Sequence, residues 1–227
     1  LRRITGDPAF TPVLSGVSTA TRLAARRPSG SERDRPSGMR PALVTAGATR
    51  NPVDAIRYLS AGATGTTGIR LASGLSSLFA TTLLGSGEAC LRARLVHADL
   101  RTEEFTSTRD LMARMERHLR AHPGGLLVHS AAVGDYEAQA VATKIPSGQA
   151  ELVLRLTPGP KIVDHVRDWD PELRLCSFKA GSPDWTDDRL EAVARAQLRR
   201  TLSDWVFANR LGELATSCMV LDPAGTQ

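Results

Sequence analysis

ALVTAGATRNPVDAIRYLSAGATGTTG, residues 42–68, decides how the rest of the chain is read. It opens with a short apolar run, 42–47, closed by a glycine, the pattern of a strand buried on both faces. It ends in Gly62-x-x-Gly65-x-x-Gly68 and leads into TGIRLASGLSSLFATTLL (67–84), whose apolar residues recur at helical spacing. Glycines let backbone N–H groups approach an anion closely, and a helix N-terminus adds favourable partial charge. The stretch is neither of the two common phosphate loops. No Gly-Lys-Ser/Thr follows, and a GxxGxxG lying about 15 residues past the strand is not the GxGxxG turn of a dinucleotide fold. A glycine-rich connector without a ligand fits the local pattern equally well.

Working outward, ARLVHADL (93–100) and GLLVHSAAV (125–133) read as strands. Between them TSTRDLMARMERHLRAH (106–122) is an amphipathic helix, with Thr106 or Ser107 as N-cap and Gly124 just past its end. ELVLRLTP (151–158) alternates as a half-exposed strand does, and PKIVDHVRDW (160–169) is a short helix with Pro160 in its first position. LRLCSFKAG (173–181) and DWVFAN (204–209) are strands on either side of a helix over 187–202. Strands alternating with helices predict an α/β, Rossmann-like fold, a mostly parallel sheet with helices on both faces. Ligands in such sheets bind outside the carboxyl ends of the strands, which directs attention to Gly47, residues 132–135, Phe178, Lys179 and Asn209.

The chain of 227 residues has the hydrophobic (41%) and charged (23%) content of an ordinary globular protein. Its net charge of +5 sits mostly in residues 1–38, which hold seven arginines and three acidic residues; the remainder is nearly neutral, so no nucleic-acid partner is expected. No apolar run of 18 residues is present, so no membrane-spanning helix is expected. Cys90, Cys176 and Cys218 form no CxxC pair, which points to a reducing compartment and a cytoplasmic protein. The five histidines show no zinc spacing and no GxSxG elbow occurs, so no protein-held metal or serine nucleophile is expected. Residues 1–38 are rich in Arg, Ser, Thr, Gly and Pro without hydrophobic periodicity and are read as a disordered leader or linker. An upstream linker, sequence translated in error before Met39, and a transit peptide all remain open.

Three further segments carry candidate chemistry. HSAAVGDYEAQAVATKIPSG (129–148) runs from a buried strand into small residues that admit a flat ligand. Asp135 there suits ribose hydroxyls and Lys144 suits phosphate; a solvated loop with one acid and one base is the plain alternative. LTPGPKIV (156–163) is a rigid turn before a helix N-terminus, a phosphate seat or an ordinary turn. Phe178 suits stacking on a base and Lys179 a phosphate, or they are a core aromatic and a solvated lysine. Asn209 serves a ligand or its local backbone.

Taken in order, LVTAGATRNPVDAIRYLS, AAVGDY, KIPSGQAELVLRLTPGPKIVD, SFKAG and DWVFAN resemble phosphopantothenoylcysteine synthetase (phosphopantothenate–cysteine ligase), the C-terminal half of the DNA/pantothenate metabolism flavoproteins. The likeness covers about residues 40–222, so residues 39–227 are expected to form that nucleotide-binding domain, ending short of the family's closing strand and helix. The resemblance implies a ligase of coenzyme A biosynthesis. Its substrates would be 4′-phosphopantothenate, cysteine and CTP or ATP, with Mg²⁺, and its intermediate an acyl-nucleotidylate. It assigns Arg57 to the acyl intermediate and Lys144 to the phosphates during nucleotidyl transfer. Gly47, Ser130, Ala131, Asp135, Thr157, Pro158, Gly159, Pro160, Phe178, Lys179 and Asn209 would contact the nucleotide, and Gly62, Gly65 and Gly68 would form the phosphate loop. A homodimer and a separate flavoprotein decarboxylase are the protein partners it allows. The chain departs from the family at Ala61, where an asparagine supports conversion of the intermediate, and at Thr66, where the loop carries lysine. Two late-helix lysines of bacterial members fall near Gln197 and Thr201. A relative that binds nucleotide without completing ligation is the alternative these departures suggest.

Overall fold

Strands buried on both faces collect at the middle of a sheet, and the apolar runs of this chain do so. The computed structural model describes residues 2–5 (backbone only), 38–213 and 217–224. In chain order its elements are β1 Arg2–Thr5, β2 Pro41–Ala46, β3 Arg50–Pro52, β4 Tyr58–Ser60, α1 Thr66–Leu75, β5 Ala80–Ser86, α2 Gly87–Val96, β6 Arg101–Phe105, α3 Thr108–Ala121 and β7 Leu126–His129. There follow β8 Tyr136–Ala138, β9 Leu156–Pro158, a 3-10 turn Ile162–His165 that runs into α4 Val166–Trp169, β10 Arg174–Gly181, α5 Asp187–Thr201, β11 Trp205–Arg210 and β12 Ser217–Leu221.

The main sheet has the order β1-β12-β11-β10-β7-β2-β5-β6. Strands β11 through β6 in that order pair in parallel, and only β12 runs against its neighbours. Alternation along the strands divides the core. Leu43, Leu127 and Leu175 pack with Leu111, Met115 and Leu119 of α3 and Val166 and Trp169 of α4. Val44, Ala46, Leu83 and Val128 pack with Ile69 and Ala72 of α1 and Ala89 and Ala93 of α2. Leu190, Ala194 and Leu198 of α5 cover Val206 and Ala208. Each fully buried leucine contributes about 2 kcal/mol. Two small antiparallel ribbons, β3–β4 and β8–β9, stand outside the sheet.

The expected helix over 67–84 ends at Leu75, and its second half is strand β5. A strand flanked on both sides and covered on both faces is apolar at every position, so it lacks the period that separates strand from helix. Residues 93–96, expected to be strand, belong to α2; Leu95 and Val96, which suggested a buried run, are 78% and 65% exposed. Strand β6 was not anticipated because RTEEF at the sheet's edge carries little apolar signal. Of 151–158, only Leu156–Pro158 is strand. The leader expected to lack structure contributes Arg2–Thr5, which pairs antiparallel with β12. The physical reason is the open row of N–H and C=O groups along the outer side of β12. Residues 1 and 6–37 of the leader lie outside the described residues.

Cys90, Cys176 and Cys218 are free thiols. Burial pushes Cys176 up to about 12, assisted by the charge of Asp204, and burial also raises Cys90 and Cys218.

Candidate functional site

Gly47 follows β2 with φ +85°, and a Cβ there would collide with Ser86 Oγ and lie 2.9 Å from Ser86 Cβ. Gly65 is the N-cap of α1 in the left-handed region, and its Cβ would lie 2.8 Å from Gly47 N. Gly68, one turn into α1, would place a Cβ 2.7 Å from both Ala46 Cβ and Ser130 Oγ. The glycine-rich loop therefore folds back onto the end of the first strand, although some fifteen residues of chain separate them. Gly62 faces open space. At the loop's centre Thr66 Oγ1 accepts from Arg92 Nη2 of α2 at 3.2 Å, and Thr64 O accepts from Arg92 Nη1 at 3.4 Å. A cation from a neighbouring helix thus stands beside the position where the resemblance expects lysine.

The end of β7 is stitched to the same place. Ser130 Oγ donates to Thr45 O at 2.6 Å, and Ala131 N–H donates to Thr45 Oγ1 at 3.0 Å. Ala132 N–H donates to Gly47 O, Thr49 N–H to Ala132 O, and Gly134 N–H to Thr49 Oγ1. Thr45 Oγ1, already an acceptor, has its own hydrogen left for His129 Nδ1 at 2.9 Å, which suits a neutral imidazole. Burial pushes His129 down from 6.5 to about 4. A folded value below the unfolded one means that protonation favours the unfolded chain, so stability is full above pH 6.5 and falls as pH drops toward 4. We expect the unfolding free energy to fall by about 2 kcal/mol between pH 7.5 and pH 5. Urea melts at the two pH values check this, and His129→Gln should flatten the dependence.

The β3–β4 ribbon holds the next segment at three successive points. Asn51 is buried; its Oδ1 accepts from Thr108 N–H at 2.9 Å and its Nδ2 donates to Tyr136 O at 3.2 Å. Val53 O accepts from Val141 N–H at 3.1 Å. Asp54 Oδ2 accepts from Ile145 N–H at 3.0 Å, while Oδ1 accepts from the N–H groups of Ile56 and Arg57 at 2.9 and 2.7 Å. The Arg57 guanidinium reaches Asp54 Oδ2 at 2.5 Å and Ile145 O at 3.3 Å. Burial alone would raise the Asp54 carboxyl, but these backbone N–H groups and the Arg57 charge outweigh it and hold it at about 2. Lys144, one residue before Ile145, is exposed and has no ion pair among the described residues.

Asp135 is exposed, and its carboxylate pairs with Lys161 Nζ at 2.6 Å rather than with Lys144. Its carbonyl accepts from Gly159 N–H at 2.9 Å, which draws the Thr157–Pro160 turn against residues 135–137. The register of β8 with β9, Tyr136 to Pro158 and Glu137 to Thr157, fixes the same approach, and Arg109 of α3 donates Nε and Nη2 to Glu137 Oε2. Thr157 and Pro158 are exposed; Gly159 and Pro160 are half-buried. Phe178 lies on β10, the strand next to β7, half-buried, packed on the cluster that holds Ala46, Ile69 and Val128 and stacked on Phe207 with centroids 5.2 Å apart. Lys179 beside it is half-buried, and Asn209 lines a small cleft at the end of β11 with Asp187, Arg210 and Met219. Gln197, near one of the two places where the resemblance expects lysine, turns inward and donates to Ser177 Oγ and Phe178 O.

The structure thus brings Gly47, Gly65, Gly68, Ser130 and Ala131 together, and joins Arg57 to the Lys144–Ile145 segment and Asp135 to the 157–160 turn. On β10, the strand next to β7, the pairing of Ser177 with His129 sets Phe178 beside Ser130, with Lys179 following it, and Asn209 lies one strand further, on β11 opposite Ala180. Asp54 and Arg92 were not singled out from the sequence, and Lys161, noted as one of only three lysines, was not expected to pair with Asp135. An aspartate accepting from amides two and three residues on is a recognisable Asx turn, so Asp54 carried a local signal; the partners of Arg92 and Lys161, more than twenty residues away, carried none.

These features define a doubly wound α/β domain whose candidate residues gather at the carboxyl ends of the parallel strands β2 and β7. The DNA/pantothenate metabolism flavoprotein C-terminal domain matches residues 38–220. The coenzyme A biosynthesis bifunctional protein CoaBC of Thermococcus kodakarensis is 34% identical over 170 residues, 74% of this chain and 41% of that protein. Its counterpart in Mycolicibacterium smegmatis is 29% identical over 231 residues, 93% of this chain and 52% of that protein. The crystal structure of the DNA/pantothenate metabolism flavoprotein from Streptococcus pneumoniae superposes with a TM-score of 0.70 at 26% identity, covering 83% of this chain and 91% of that one. The chain belongs to the DNA/pantothenate metabolism flavoprotein C-terminal domain family and spans about half or less of the length of these two curated relatives.

Proposed function

We propose that the chain is a phosphopantothenate–cysteine ligase domain of coenzyme A biosynthesis, acting in the cytoplasm through an acyl-nucleotidylate made from CTP or ATP. The observation that carries the reading is the junction of Arg57 with the segment bearing Lys144, tied through Asn51 to the backbone of Tyr136, the residue after Asp135. The carboxylate of 4′-phosphopantothenate attacks the nucleotide's α-phosphorus and pyrophosphate leaves. The amine of cysteine then attacks the acyl carbon and the nucleoside monophosphate leaves, carrying the bonding electrons. Lys144 neutralises the phosphates as charge builds on the leaving pyrophosphate. Arg57 presents the rest of its guanidinium to the acyl group, since only Nη1 has protein partners among the described residues. Gly47, Ser130, Ala131 and the 157–160 turn admit the nucleotide. The α1 N-terminus, with Gly65, Gly68 and Arg92 beside it, receives an anionic group.

Among the described residues no three His, Cys, Asp or Glu side chains cluster as a metal cage. A Mg²⁺ brought with the nucleotide would supply neutralisation of phosphate charge, alongside Lys144. A homodimer and a flavoprotein decarboxylase acting on the product belong to the same proposal.

A second reading, nucleotide binding without ligation, is favoured by Ala61. It lies exposed after β4 and has no side-chain group to assist breakdown of the intermediate. Mass spectrometry of reactions holding phosphopantothenate, cysteine, Mg²⁺ and each nucleotide separately decides between the two. Ligation predicts phosphopantothenoylcysteine with one nucleotide. Nucleotide binding by calorimetry with no such product favours the second reading.

A further inference from the structure

We infer that Asp54 is a positioning residue for this reaction, its carboxylate locking the Arg57 guanidinium and the Lys144–Ile145 peptide into one unit. The inference rests on the ligase reading for its catalytic meaning, and on geometry alone for the lock.

Four donors converge on one side chain that has no exposed surface. Oδ1 takes the N–H groups of Ile56 and Arg57, which close the turn of the β3–β4 ribbon. Oδ2 takes Arg57 Nη1 and Ile145 N–H. Arg57 Nη1 also donates to Ile145 O, so the backbone of Ile145 is gripped at both its N–H and its C=O. The nitrogen of Ile145 belongs to the peptide bond that carries the Lys144 carbonyl, so gripping it fixes the plane from which the lysine departs. Among the described residues the next hold on this segment is Val141 N–H to Val53 O, three residues before Lys144. Asp54 itself is enclosed and touches no crevice. It acts by turning one edge of Arg57 inward, leaving Nε and Nη2 outward, and by setting where the lysine stem begins.

Asparagine has the same shape but offers one acceptor and one donor where four donors arrive. Whichever way its amide turns, two of the four contacts face a donor. The lock then opens while the ribbon's main-chain pairing, Asn51 with Leu59, is untouched.

The test uses the full chain carrying Asp54→Asn, with two readouts. Hydrogen exchange of the Ile145 amide is expected to speed by at least tenfold while amides of β2 and β7 keep their protection. Nucleotide-dependent pyrophosphate release with phosphopantothenate and Mg²⁺ is expected to lose about 10- to 100-fold in kcat, with the nucleotide KM changed by less than about threefold. Asp54→Glu, which keeps the charge on a longer arm, should recover part of both, and it replaces the asparagine variant should that fail to fold. An Ile145 amide as protected as in the wild type overturns the lock. Lost protection with full kcat reduces it to a structural clasp and overturns the positioning role. A wild type that releases no pyrophosphate yet shows the exchange difference overturns the ligase reading, and the positioning role with it, while the lock stands.

Discussion

Lys144→Gln is expected to cut nucleotide-dependent pyrophosphate release by about 10²- to 10³-fold and to leave the melting temperature unchanged. The two halves of that expectation have separate causes. Lys144 is exposed and unpaired among the described residues, so removing its charge disturbs no folded-state contact and stability stays within about 0.5 kcal/mol. Its hold on the chain comes from the next residue, whose N–H is bound by Asp54 and whose C=O is bound by Arg57. Glutamine keeps most of the side chain's length and loses the positive charge. The effect therefore reads electrostatic stabilisation of phosphate charge rather than shape. A pyrophosphate assay paired with a thermal melt checks it. Undiminished activity would remove Lys144 from the mechanism.

Gly47→Ala is expected to lower stability by about 2–4 kcal/mol. The φ of +85° costs a side chain about 1–2 kcal/mol. The added carbon also collides with Ser86 Oγ, which caps α2 by accepting from Ala89 N–H, and losing that cap costs about 1 kcal/mol more. Any shift of Gly47 pulls on its carbonyl, which holds Ala132 N–H at the end of β7. For a domain of this size the melting temperature should fall by about 5–15 °C. Gly62→Ala, where nothing lies within 4 Å, is the control and should move it by about 1 °C or less. Equal melting temperatures for the two variants would refute this account of why glycine ends the first strand.

The sheet was legible wherever local pattern and tertiary position agree. Strands β2, β7, β10 and β11 are apolar runs ended by glycine or polar residues, and α3 and α5 show an apolar stripe with a capping Ser107 and Thr186. It was illegible at β5, whose burial on both faces erases alternation, and at β6, whose edge position leaves it polar. The crevice divides in the same way. The Gly65–Gly68 loop, Asp135 and Lys144 stand out because their residue types carry chemistry. That Asp135 meets Lys161 rather than Lys144 depends on the β8–β9 pairing, which joins residues about 20 apart and leaves no periodic trace. Asp54 resembles any turn aspartate until the fold brings Ile145 to it across 91 residues.

The state of the three cysteines bears on a protein whose proposed substrate is itself a thiol amino acid. Mixed disulfides with cystine form through the thiolate, and burial pushes the Cys176 thiol up, well away from ionising at neutral pH. Cys90 and Cys218 shift the same way, so the scaffold resists being capped by the oxidised form of the molecule it is proposed to consume, and a colorimetric count of free thiols in a running reaction would report chiefly on substrate and product.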